Sequence, residues 1–176
     1  MKRWIWLAGA AVVVIALGAT LVALPKGQEW TTDSPEALAA FEAGMDAQMR
    51  IYYDDAQRHF RRAIELDPDF VIAKFYAIDG FRSEGEDKVK AMWDSVVSAD
   101  LEQLTAREKL IIERARAMRE KRPKDAERLL EEALADHPND PFNLNLKALQ
   151  TWQRGEFEDA ERLYQRLVEI HPNWVI

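Results

Sequence analysis

Apolar and small residues recur along this chain with the period of a helix. In 125–138, DAERLLEEALADHP, Ala126, Leu130 and Ala133 share one helical face and Pro138 follows five positions on. The same order returns as Ala56, Phe60, Ala63 and Pro68 in DAQRHFRRAIELDP, and as Ala160, Tyr164, Leu167 and Pro172 in DAERLYQRLVEIHP. The step from Ala126 to Ala160 is one period of 34, and the step from Ala56 to Ala126 is one period of 34 plus one of 36. A fixed period of this size marks an array of stacked units. The small residue lets a neighbouring helix approach, the large one fills the space left, and the proline stops the helix. Start signals fall where such helices need them: Ser34-Pro35, the capping-box pair Thr105 and Glu108, Pro123, and Asp140-Pro141. Helices are expected near 35–50, 54–66, 69–83 and 87–98, then from 105, 123 and 141, with Gly155-Glu156 as the last internal turn. No stretch sustains period-two alternation, so the fold class is all-α.

One segment breaks the amphipathic pattern. The run 4–24, WIWLAGAAVVVIALGATLVAL, carries no charge at any position. As a helix it spans about 31 Å, enough for a bilayer core. Lys2 and Arg3 precede it, so the positive-inside bias holds the stub 1–3 in the cytoplasm. Trp4 and Trp6 suit one membrane interface and Trp30 the other. A cleaved signal peptide is the competing assignment. Its apolar region is shorter, about 7–15 residues, and ends in a small-residue site that Leu21-Val22-Ala23 fits poorly, so an uncleaved signal anchor is favoured. Residues 25–33 then form a polar linker, and 34–176 lie on the far side of the membrane, the periplasm for a bacterial inner-membrane protein.

The repeated residues resemble the tetratricopeptide repeat, a helix-turn-helix unit whose period is that of Ala126 and Ala160. The resemblance implies an α-solenoid of repeats at 37–70, 107–140 and 141–174, with a degenerate one at 71–106. Gly44 stands at the family's glycine position. In the degenerate unit Ala73 and Gly85 match, whereas Lys90, Asp94 and Glu102 replace the usual Ala, aromatic and Pro. The resemblance also implies an inner groove lined by each unit's first helix. Mapped onto this sequence, the groove takes Phe41, Met45 and Met49 from the first repeat and Phe75 and Arg82 from the second. It takes Ile111 and Met118 from the third, and Phe142, Asn145, Leu149 and Trp152 from the fourth. These are unusually apolar for positions facing water, which marks a protein or peptide partner site. The version of the fold that clamps a C-terminal carboxylate is not matched, since Phe41 and Met45 replace its first Lys and Asn. The run TTDSPEALAAFEAG with AIELDPDFVIAKF is similar to extracytoplasmic repeat regions of bacterial membrane regulators. Only Met1, Lys2 and Arg3 precede the apolar run, so a sensory role would need a separate effector.

Charge and chemistry narrow the function further. The net charge is −7, and Lys2 and Arg3 lie before the apolar run, so the remainder is more acidic still. That balance argues against nucleic acid as a partner. Cysteine is absent, which removes disulfides and thiolate metal sites. The three histidines, His59, His137 and His171, show no metal-binding spacing, and no phosphate loop or nucleophile elbow occurs. No metal, no cofactor and no catalysis are expected. Arrays normally end in a polar capping helix. Here Asn173-Trp174-Val175-Ile176 stand where another helix would begin, which fits a fragment of a longer array or an end covered by a partner or a second copy. The function expected is a membrane-anchored scaffold or adaptor that binds a peptide or helix, with a sensory or regulatory subunit as the alternative.

Overall fold

The structure, a computed structural model, describes residues 29–172 and 174. They form eight α-helices and no strand: α1 (Pro35–Met49), α2 (Tyr53–Leu66), α3 (Val71–Ala77), α4 (Glu86–Val97), α5 (Ala106–Arg119), α6 (Pro123–Asp136), α7 (Pro141–Gln153) and α8 (Phe157–Ile170). Short 3-10 segments run over Ile78–Glu84 and Leu101–Gln103. Helices pair in sequence order into an all-α solenoid. No described helix is long and apolar enough to cross a membrane, and the apolar run 4–24 lies outside the described residues.

The recurring residues do what their spacing requires. Ala56, Phe60 and Ala63 of α2 are sealed from solvent, as are Leu130 of α6 and Leu167 of α8. Gly44 admits the Phe60 ring so closely that a Cβ there would lie 2.6 Å from it. Ser34 caps α1 by accepting from the Ala37 N–H at 3.1 Å. Thr105 and Glu108 form the complete capping box of α5, and Asp140 caps α7 by accepting from the Asn143 N–H at 2.9 Å.

Each helix pair turns on one left-handed residue at the same repeat position: Ile51 (φ 65°), Gly85 (φ 105°), Lys121 (φ 58°) and Gly155 (φ 82°). In three of the units the next N–H reaches back across the helix end, from Tyr52 to Ala47, Arg122 to Ala117 and Glu156 to Thr151. This is the Schellman closure that a left-handed residue permits. The degenerate second unit keeps a positive φ at Gly85 but closes differently, with the Gly85 N–H donating to the Arg82 carbonyl. The turns between units also recur: the backbone N–H groups of Phe70, Asp140 and Trp174 donate to the carbonyls of Asp67, His137 and His171.

The second unit departs from expectation. A single helix over 69–83 is replaced by α3 and a 3-10 segment. The cause is Gln57 on α2, whose side-chain amide donates to the Tyr76 carbonyl (3.2 Å) and accepts from the Gly80 N–H (3.0 Å). Those two groups would bond each other in a continuous α-helix. Arg61 completes the intrusion by donating to the Gly80 carbonyl.

A β-branched side chain in the left-handed region costs roughly 1–2 kcal/mol, and half-exposed Ile51 recovers little by packing. Ile51→Gly is therefore expected to raise the unfolding free energy by about 1 kcal/mol, read from the shift in urea midpoint. An unchanged or lowered midpoint would show that the turn is not strained.

Candidate functional site

Two surfaces follow from this packing, one filled from within the chain and one open. The filled surface begins at Glu29–Thr32, the segment before α1. Trp30 and Phe41 meet in a T-shaped pair with centroids 5.0 Å apart, and the Arg107 guanidinium sits 4.4 Å from the Trp30 ring centroid. Arg107 also pairs with Glu29 at 2.6 Å and with Asp140, joining this segment to the cap of α7. Glu108 has no exposed surface. Its Oε1 accepts from the Thr31 N–H (2.9 Å) and hydroxyl (2.6 Å), and its Oε2 from the Thr105 N–H (2.9 Å). The Thr105 hydroxyl donates to the Glu29 carbonyl at 3.0 Å, and the Thr32 hydroxyl donates to Asp67 at 2.5 Å. The segment expected to be a polar linker is a strap. Trp30, assigned from sequence to a membrane interface, is instead buried among protein side chains because Phe41 and Arg107 enclose it.

The groove positions divide accordingly. Phe41, Met45, Met49 and Ile111 are buried. Phe41 touches Phe60, Phe70 and Tyr76 as well as Trp30, so its ring is engaged in internal packing. Phe75, Phe142 and Asn145 are half-buried. Phe142 packs between Tyr76 (6.3 Å) and Trp174 (5.7 Å), and the Trp174 indole N–H donates to Asp46 on α1 at 3.3 Å. Arg82, Met118, Leu149 and Trp152 are exposed. Phe75 and Arg82 border a hollow of about 910 Å³ with Gln48, Tyr53 and Trp93. Burial pushes the Tyr76 phenol up to about 12; Asp140 adds to the rise, while Arg114 and Arg107 oppose it. Among the described residues no three His, Asp or Glu side chains gather as metal ligands.

The open surface is the outer face of α8 with the end of α7. Trp152, Phe157, Ala160, Tyr164 and Val168 line a trough of about 940 Å³, rimmed by Glu161, Gln165 and Glu169. Trp152 is 54% exposed and Phe157 62%, and their rings meet at 6.5 Å. Sequence reasoning placed Trp152 in the inner groove and did not single out Phe157 or Val168 as site residues. The signal available was the repeat itself, because Val168 stands one period after Leu134, which is half-buried on α6.

Geometry and comparison agree most closely over this C-terminal part. Residues 117–174 match the family model described as Tetratricopeptide repeat. Over these residues the chain is similar to tetratricopeptide repeats. No match was found among curated proteins. Of the solved structures, the "Crystal structure of MamA protein" is similar over 78% of this chain and 74% of its own, at 17% identity and TM-score 0.35. A superposition that loose leaves the fold resting on the repeat match and the helices themselves.

The strap generates a stability test. Removing the Glu108 carboxylate orphans buried donors on two segments, so Glu108→Ala should lower the unfolding free energy by about 3 kcal/mol. Thr31→Val should cost about 1–2 kcal/mol alone and much less in the Glu108→Ala background. Urea denaturation of the four proteins checks this, and additive losses would dissolve the proposed linkage.

Proposed function

We propose that the chain is a non-catalytic interaction scaffold, tethered to a membrane, whose partner docks on the open apolar face of α7 and α8. The observation that carries this reading is the cluster of Trp152, Phe157 and Val168, all large and all about half exposed or more, on one trough. Contiguous apolar surface of this kind is costly in water and marks a contact site. The tetratricopeptide repeat match over 117–174 supports the reading, because stacked repeats present extended surfaces to other proteins. Of the apolar inner positions, Met118, Leu149 and Trp152 stay exposed, and Trp152 lines the trough. Phe41, Met45, Met49 and Ile111 serve it from inside, by setting how the units stack.

The tether rests on sequence alone: the uncharged run 4–24 behind Lys2 and Arg3. In this reading the repeats lie on the extracytoplasmic side of a bacterial inner membrane. The full chain should then resist extraction by alkaline carbonate, and protease added to spheroplasts should digest its helical part. Release into the alkaline wash, or protection in spheroplasts, would remove the tether or reverse its orientation.

Docking is checked by a photoreactive residue at Leu149, one turn before Trp152 on α7, in intact membranes. Adducts with a foreign protein that vanish in the Val168→Glu variant are expected. Adducts to lipid alone, or a pattern indifferent to Val168→Glu, would overturn the site.

A further inference from the structure

The array contains its own template for what the α8 face receives. Where α7 packs on α6, the apolar seam is flanked by ion pairs. Lys147 Nζ lies 3.0 Å from Glu131 and 3.9 Å from Glu127, and Arg154 lies 2.9 Å from Glu127. The junction after α2 also carries an ion pair, with the charges exchanged but between a different pair of repeat positions. Arg61, two repeats before Glu131, pairs with Glu84, two repeats before Arg154. Moving α6 forward by one period places Glu161 on Glu127, Tyr164 on Leu130, Gln165 on Glu131 and Val168 on Leu134, so α8 keeps the carboxylate that meets both cations and replaces the other by an amide. Leu130 is sealed, whereas Tyr164 is half-buried and Val168 is 49% exposed. Glu161 accepts from Gln165 on its own helix at 3.2 Å, where Glu127 meets two cations of the next helix.

We propose that the α8 face binds an amphipathic helix of a partner protein that carries Lys or Arg at two positions seven apart, docked as α7 docks on α6. This rests on reading that face as a docking site. Positions seven apart lie almost two full turns apart on one helical face, so one cation row beside an apolar stripe satisfies the template. The apolar stripe fills the trough at Tyr164 and Val168, and the cations meet Glu161. The charged residues lining the trough are Glu161 and Glu169, both acidic. A second copy of this chain meeting the face symmetrically would set carboxylate against carboxylate, so self-pairing is disfavoured and a basic helix is favoured.

The test titrates the full chain, in detergent micelles, with a fluorescein-labelled peptide copying residues 141–154, stapled into a helix on its outward side. Anisotropy should show saturable binding that weakens with salt. Glu161→Lys should weaken it about tenfold, and a peptide carrying Lys147→Glu and Arg154→Glu should recover affinity for that variant. Val168→Glu should abolish binding. No saturation up to about 1 mM peptide, or equal affinity of both peptides for both proteins, would overturn the proposal. Sedimentation showing dimers that Val168→Glu dissolves, without peptide binding, would also overturn it and mark the face as a self-association surface. Foreign adducts from Leu149 that persist in Glu161→Lys would sink the charge rule alone and leave the docking face standing. Absence of both adducts and peptide binding would end both readings.

Discussion

A carboxylate without exposed surface holds the first units together. Burying an ionised group is tolerable only when its lone pairs are met, and Glu108 is met by three donors, two of them from Thr31, far earlier in the chain. A capping-box glutamate ordinarily serves only its own helix start. Here one oxygen does that and the other fixes a distant segment. The consequence runs outward: Thr31 positions Trp30, Trp30 covers Phe41 and supports Arg107, and Arg107 holds Asp140 at the start of α7. Repeat arrays are usually stabilised between nearest neighbours. This brace spans units that are not neighbours, so it couples their unfolding.

Tyr76 plays the corresponding role among the rings. It contacts Phe41, Phe60, Phe75 and Phe142, which belong to α1, α2, α3 and α7. Large rings converging on one side chain fill space that a more open array would leave to a ligand. The strap and this cluster together turn several inner positions into core. Of the apolar inner positions, Met118, Leu149 and Trp152 stay exposed.

Much of the architecture was legible because helix spacing is local. Ala126, Leu130 and Ala133 report their face wherever they occur, and Ser34, Thr105 and Asp140 announce helix starts by chemistry. The tight turns were half legible: Gly85 and Gly155 advertise a left-handed residue, whereas Ile51 and Lys121 adopt it against their preference because the helices on either side are already packed. The break after α3 was hidden, since nothing in 71–84 says that Gln57, on another helix, will take the Tyr76–Gly80 bond. The inner-face assignments failed to anticipate burial for the same reason. Phe41 occupies the position the resemblance gave it, but whether that position faces water depends on Trp30, whose placement is fixed through Glu108 and Arg107.

The junctions carry a further constraint. Apolar seams between similar amphipathic helices are nearly interchangeable, because Ala, Leu and aromatic residues recur at the same positions in each unit. Apolar matching alone therefore specifies poorly which helix follows which. The ion pairs supply part of the missing information: α2 offers Arg61 where α6 offers Glu131, and the first is met by the Glu84 carboxylate whereas the second is met by the Lys147 ammonium. Each pair is partly exposed and contributes little to stability. Its effect is to penalise the wrong neighbour. In the docking proposed above, the acidic rim of α8 would act as a specificity element of the same kind, selecting a helix by sign as much as by shape.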